Sequence, residues 1–297
     1  MGAEPARKYP PPDMTDAARL LISCPDRHGL VAAVTSFLAE REANVTDAQQ
    51  HATAPEGGTF FMRLAFRIDG LDANRAGFEE AFRRSVARHY EMDYRIHFLA
   101  DRKRMVVLVS KYDHALLELL WRQRAGDLDV DIPLVISNHD DLRHTVEGFG
   151  IPYHHLPVTR ATKPEQERRI AELVGEAEVI VLARYMQILS AGLVERLAGR
   201  VINIHHSFLP AFVGANPYRH AYNRGVKLIG ATAHFATADL DEGPIIEQDV
   251  RRVSHRHEVP HMMRIGREVE RAVLAKAVEA FVDDRVLTYG NKTVVFD

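Results

Sequence analysis

From residue 105 onward, three short runs of apolar and β-branched residues (105–110, 130–137 and 177–182) alternate with stretches of helical spacing (114–124, 141–149 and 164–174). Strands that are apolar on both faces belong inside a sheet. Strands joined through helices become parallel neighbours, because a parallel pair needs a crossover long enough to hold one. This alternation restricts the segment to a Rossmann-like α/β sheet covered on both faces. A short strand at 201–204, two strands at 227–235 and 245–253, a long helix at 259–282 and a terminal strand pair near Val286 and Val294 complete the reading.

The first third of the chain has a different order. An apolar strand at 18–24 runs into the turn Pro25-Asp26-Arg27-His28-Gly29. A helix follows at 30–40, with Leu30, Val31, Val34, Phe37 and Leu38 on one stripe. Strands at 44–53 and 59–68 flank the turn Pro55-Glu56-Gly57-Gly58, and a helix at 71–89 and a strand at 94–99 follow. The order β-α-β-β-α-β is the ferredoxin-like arrangement. Asp101-Arg102-Lys103-Arg104 is a solvated, charged break. The expected division is a Pro-rich disordered start at 1–16, one domain at 17–99, a linker at 100–103 and a second domain at 104–297, in keeping with 297 residues.

Composition narrows the function. Acidic residues number 41 and basic residues 38, too even a balance for a general nucleic-acid binder. No run of 18 apolar residues is present, so no membrane partner is expected, and the start lacks an apolar signal core, which points to a cytoplasmic protein. A single cysteine excludes an internal disulfide and a Cys-rich metal site. No G-x-G-x-x-G follows a strand and no Walker A sequence occurs, so no nucleotide cofactor is expected.

The densest polar cluster, Asn203-Ile204-His205-His206-Ser207, follows the strand at 201–204. Ligands of open α/β sheets collect at such carboxyl ends. Period-2 geometry puts Asn203 and His205 on one face, where a carboxamide and an imidazole can hold a developing oxyanion; two polar residues closing a strand end is the plainer alternative. The acidic turn Asp239-Leu240-Asp241-Glu242-Gly243-Pro244 offers a carboxylate to orient or charge a histidine, or to act on water, and reads equally as a turn. His205, His206, His234 and Asp241 could together serve a zinc ion. Adjacent histidines on an extended strand point apart, however, and no ligand-spaced pattern surrounds them, so no metal is expected. His154 and His155 are candidate pocket neighbours with no fixed role, while His255, His257 and His261 carry no specific case.

Three segments now stand in order: NIHHSFLPAF from 203, GVKLIGATAHF from 225 and LDEGPIIEQDV from 240. Together they resemble the formyltetrahydrofolate-dependent formyltransferase superfamily, and within it the deformylases, over residues 104–296. The resemblance implies that Asn203, His205 and Asp241 are the catalytic trio around the formyl group of 10-formyltetrahydrofolate. VLARYMQIL at 181–189 matches the segment edging the pterin pocket. Substrate contacts are thereby implied for Leu182, Tyr185, Met186, Gln187, Leu189 and His206, with Ala236, Asp239 and Gly243 on the opposing loop. The N-terminal domain resembles an ACT domain. That resemblance implies a possible small-molecule effector or an interface at Asp26, Arg27, His28 and Gly29, and a homodimer or homotetramer. A cap and a surface ion pair would account for Asp26 and Arg27 equally well.

The expected activity is hydrolysis of 10-formyltetrahydrofolate to tetrahydrofolate and formate, without a cofactor, supplying formate for purine synthesis or one-carbon balance. Two alternatives are a formyltransferase acting on an amine acceptor and a non-enzymatic ACT-type metabolite sensor. In the glycinamide ribonucleotide transferases, a Gly- and Ser-rich loop after the first strand of the domain holds the acceptor's phosphate. Here the stretch is Ser110-Lys111-Tyr112-Asp113-His114, without glycine, a poor phosphate nest. This departure and the ACT-like domain both favour water over an amine.

Overall fold

The computed structural model describes residues 14–54, 57–210 and 217–297. Residues 1–13 of the expected disordered start, and Pro55 and Glu56 of the expected turn, lie outside them. The described residues form two compact units. One runs to Arg102 and includes Asp283–Tyr289 and Val294–Asp297; the other comprises Lys103–Val282 with Gly290–Thr293. The boundary at Arg102 falls inside the charged break, but the sequence division placed all of 283–297 in the second domain. The returning segment joins the first unit through specific contacts. Arg63 donates to the carbonyls of Asp284 (3.0 Å) and Asp283 (3.1 Å), and Phe61 meets the Tyr289 ring at 5.1 Å.

In the N-terminal unit, strands β1 (Ala17–Pro25), β2 (Asn44–Ala52), β3 (Thr59–Arg67) and β4 (Asp93–Phe98) form an antiparallel sheet in the order β2-β3-β1-β4. Helix α1 (Leu30–Ala39) and helix α2 (Arg75–Phe82), which continues into a wider turn at Arg83–Ala87, pack on it. Alternate residues Leu20, Ile22 and Cys24 of β1 and Met62, Leu64 and Phe66 of β3 meet Val34, Phe37 and Phe82 in one core. Phe37 lies edge-on to Phe78 and Phe82 at 5.5 and 5.2 Å. Each such buried ring stabilises the unit by about 1.5–3 kcal/mol. Cys24 is buried here and its thiol is pushed up to about 11 by burial, so it is no nucleophile. The helix expected at 71–89 is interrupted at Asn74, whose φ of −132° is not helical.

The second unit holds a seven-stranded sheet. Its strands are β5 (Arg104–Val109), β6 (Asp131–Ser137), β7 (Tyr153–His155), β8 (Val179–Leu182), β9 (Val201–His205), β10 (Leu228–Phe235) and β11 (Ile245–Arg252), in the order β11-β10-β9-β8-β5-β6-β7. Strands β5 to β9 pair in parallel, and β10 and β11 close one edge antiparallel. The helices are α3 (His114–Ala125), α4 (Arg143–Glu147), α5 (Lys163–Val174), α6 (Ala191–Arg196), α7 (Pro217–Arg224) and α8 (Val259–Val282). Val106, Leu108, Ile180 and Leu182 pack with Ile170 and Val174 of α5, Leu193 of α6 and Leu197 just after it. Helix α8 lies against α3 and strands β9, β10 and β11. The chain moves outward from β5 through β6 to β7, then returns to β8 on β5's other side. The carboxyl ends of β5 and β8 therefore send their loops apart and open a crevice. No described helix is long and apolar enough to cross a membrane.

Candidate active site

A cavity of about 630 Å³ occupies the crevice, with walls from the segments after β5 and β8, the end of β9, the β10–β11 loop, α7 and α8. Register explains how its polar residues meet. Strand β10 runs antiparallel to β9, so His234 lies directly opposite Asn203. The β10–β11 pairing shifts between Ala233 and His234, a bulge of the kind that re-aims a side chain beside a site. Asn203 Nδ2 is 3.2 Å from His234 Nε2, and His234 Nδ1 is 2.9 Å from the carbonyl of Phe235. The Nδ1–H donates to that carbonyl, which leaves Nε2 to accept from the Asn203 amide.

The hairpin loop then carries Asp241 back over the strand ends. The Phe235 N–H donates to the Pro244 carbonyl at 2.9 Å, closing the loop. Gly243 permits this closure, since a Cβ there would stand 1.8 Å from the Phe235 carbonyl oxygen. Asp241 adopts a φ of +58°, a left-handed conformation that non-glycine residues take up only when their surroundings hold them. Its Oδ2 is 3.2 Å from His205 Nδ1, and its Oδ1 is 3.7 Å from His234 Nε2. Hydrogen bonding from His205 outweighs burial and holds the Asp241 carboxyl well below the usual carboxylate range. Asp241 is therefore a fixed anion that orients His205 and is a weak proton acceptor. His205 Nε2 is buried in the cavity wall without a hydrogen-bond partner among the described residues. An amide donor, an imidazole nitrogen and an anchoring carboxylate thus border one space. This arrangement suits stabilisation of a tetrahedral oxyanion and movement of one proton.

Of the implied pocket residues, Leu182, Tyr185, Met186, Gln187, Leu189, His206 and Ala236 line the same cavity. Asp239 and Gly243 are not among its lining residues. The Asp239 carbonyl accepts from the Thr237 hydroxyl (2.9 Å) and the Glu242 N–H (3.4 Å), and Gly243 packs on Phe235, so both shape the loop that presents Asp241. His206 is half-buried beside His205, their ring centroids 5.2 Å apart. Burial first, then the Arg184 charge, lowers His206 to about 4, so it is neutral at pH 7. Among the described residues, no three His, Cys, Asp or Glu side chains are grouped to hold a metal ion.

A second polar cluster in the cavity wall was not expected from sequence. Glu270 of α8 is 1 % exposed and accepts from Tyr218 Oη at 2.8 Å and His114 Nε2 at 3.0 Å, with Arg184 Nε at 3.3 Å. Burial pushes the Glu270 carboxyl up, but the His114 hydrogen bond and the Arg184 charge prevail and hold it below the usual range. A Cβ at Gly266 would stand 1.9 Å from Tyr218 Oη, so glycine one helical turn before Glu270 admits the phenol. Ser110 is engaged inward: its hydroxyl donates to Asn138 Oδ1 at 2.6 Å and accepts from the Met186 N–H at 2.9 Å.

In the N-terminal unit, Gly29 opens α1 at a φ of +88°. Arg27 donates to the Tyr90 carbonyl (3.0 Å) and to Glu91 Oε1 (3.1 Å). No side chain caps α1. Asp26, Arg27 and Gly29, with Leu30, Val31, Ala32 and Phe60, border a shallow depression of about 330 Å³; His28 does not.

Comparisons with known proteins agree with this layout. A formyl transferase family model matches residues 103–278, and an ACT domain model matches 18–75. The formyltetrahydrofolate deformylase of Mycobacterium tuberculosis (strain ATCC 25618 / H37Rv) is 51% identical over 282 residues, 95% of this chain and 91% of that protein. The chain belongs to the formyltetrahydrofolate deformylase family. A deformylase crystal structure from Pseudomonas syringae pv. tomato matches with a TM-score of 0.91 at 52% identity, covering 95% of this chain and 94% of that one. Glycinamide ribonucleotide transformylase 1 from Symbiobacterium toebii matches with a TM-score of 0.62 at 28% identity, covering 66% of this chain and 95% of its own. The deformylase match takes in both units; the transformylase match covers two thirds of the chain.

Proposed function

We propose that this chain hydrolyses 10-formyltetrahydrofolate to tetrahydrofolate and formate. One observation carries the reading: Asn203, His205 and Asp241 border one cavity in a chain that matches deformylases over 95% of its length. Asn203, steadied by His234, and His205 through Nε2 are the donors to the oxyanion that forms as water attacks the formyl carbon. Asp241 stays anionic, holds His205 by Nδ1 and positions the water. As the tetrahedral adduct collapses, the carbon–N10 bond breaks and N10 takes a proton from His205 Nε2. The water's protons account for this one and for the one released when formic acid ionises. No cofactor takes part.

The segment 110–114 supports water over an amine acceptor. Ser110 is turned inward and His114 is held by Glu270, so neither offers a phosphate cradle. Leu182, Tyr185, Met186, Gln187 and Leu189 would hold the pterin, with Ala236 on the facing wall. The ACT unit would take a small-molecule effector near Asp26 and Gly29 or pair protomers into a homodimer or homotetramer in the cytoplasm. Purified protein given 10-formyltetrahydrofolate and no amine should release one formate per tetrahydrofolate. Strict dependence on an added amine would refute the hydrolase reading.

A further inference from the structure

We propose that Arg184 forms a subsite for a small carboxylate inside the cavity, and that its occupant is the formate the reaction releases. The inference rests on the deformylase reading. Arg184 follows β8 at a φ of +62°, in the cavity wall, with its side chain only 10% exposed. Its Nε approaches Glu270, and its guanidinium carbon sits 5.4 Å from the centre of the Tyr112 ring. Among the described residues no group accepts a hydrogen bond from its two terminal nitrogens, and its buried Nε completes none. A guanidinium has five N–H donors, so the terminal nitrogens of Arg184 can meet a ligand in the cavity it lines.

The charges around it favour an anion. The cavity walls carry Arg184, Arg219 and Arg267 against Asp241 and Glu270. Both carboxylates are already engaged, Asp241 by His205 and Glu270 by Tyr218 and His114. Glu270 fixes the Nε side of the guanidinium, which leaves the paired terminal nitrogens to take a carboxylate side by side. The subsite adjoins the trio through a run of contacts. The His206 ring lies 5.2 Å from that of His205 and 6.1 Å from that of Tyr218, which is bonded to Glu270.

Hydrolysis makes one new anion in this space. The formyl carbon gains an oxygen from water and loses N10, the proton goes to N10, and formic acid ionises to formate. Held by Arg184, formate is kept from the freed N10. The other carboxylates that could enter belong to the glutamate of the folate, and the experiment separates the two.

Binding of sodium [13C]formate to the folate-free protein should be followed by NMR line broadening. The wild type should bind formate saturably, and R184K, which keeps the charge but not the fork, should weaken it about tenfold, the scale of one charge-assisted hydrogen bond. The double variant R184Q/E270Q removes both charges together, avoids a stranded buried carboxylate, and should abolish binding. Equal formate affinity in all three folded proteins would overturn the proposal. So would an R184K defect confined to folates carrying glutamate, with formate and the pteroate analogue unaffected. Wild-type turnover without formate binding would sink the subsite and spare the hydrolase reading; absent turnover would sink that reading itself.

Discussion

His206 makes the stability of the catalytic unit depend on pH in a calculable way. The folded environment lowers its imidazole from 6.5 to about 4, through burial and then the Arg184 charge. The unfolded chain binds that proton readily and the folded chain resists it. The contribution is therefore complete above pH 6.5 and is lost as the pH falls toward the folded value. At 1.36 kcal/mol per pH unit the full effect is about 3 kcal/mol, of which about 2 kcal/mol disappears between pH 7.5 and pH 5. Urea unfolding followed by the fluorescence anisotropy of Trp121 would measure it. This is the only tryptophan, and it lies on α3 in the same unit as His206, so the ACT unit does not enter the signal. H206Q cannot titrate and keeps a polar, neutral side chain. Its stability should fall by about 2 kcal/mol less than that of the wild type over this interval, other groups cancelling in the difference. Parallel wild-type and H206Q pH profiles would refute the assignment of His206 as a desolvated neutral imidazole.

Asn203→Ala should fold and bind a non-hydrolysable folate analogue normally while losing about 10²–10³ in turnover number, the usual loss for one oxyanion donor; near-normal turnover would remove Asn203 from the mechanism. Gly243→Ala drives a methyl into the Phe235 carbonyl, so the loop must shift and carry Asp241 with it. Turnover should fall at least as far as in Asp241→Asn, with the ACT unit's unfolding unaltered, and full activity would show that the loop closure does not position Asp241.

The sheet was legible because its strands are apolar on both faces and its helices periodic, and Asn203, His205 and Asp241 were legible because motif order accompanied them. The shortest elements were not. Strand β7, Tyr153–His155, has three residues, and helix α7, Pro217–Arg224, has two turns whose buried face is only Tyr218 and Ala221 among its described side chains. His234 escaped as a partner of Asn203 because the bulge after Ala233 and the antiparallel register, neither written locally, place it.

The Glu270 cluster was hidden for a different reason, since its members lie 52 residues (Tyr218) and 156 residues (His114) from Glu270. One signal was nevertheless present. Met262, Gly266, Val269, Glu270 and Val273 fall on the buried stripe of α8, so the periodicity that defines the helix also places a carboxylate and a glycine inside it. A charged residue on an apolar stripe must find donors, and a glycine one turn earlier makes room for one. The need for donors is thus legible in α8, whereas the fold alone identifies them as Tyr218, His114 and Arg184.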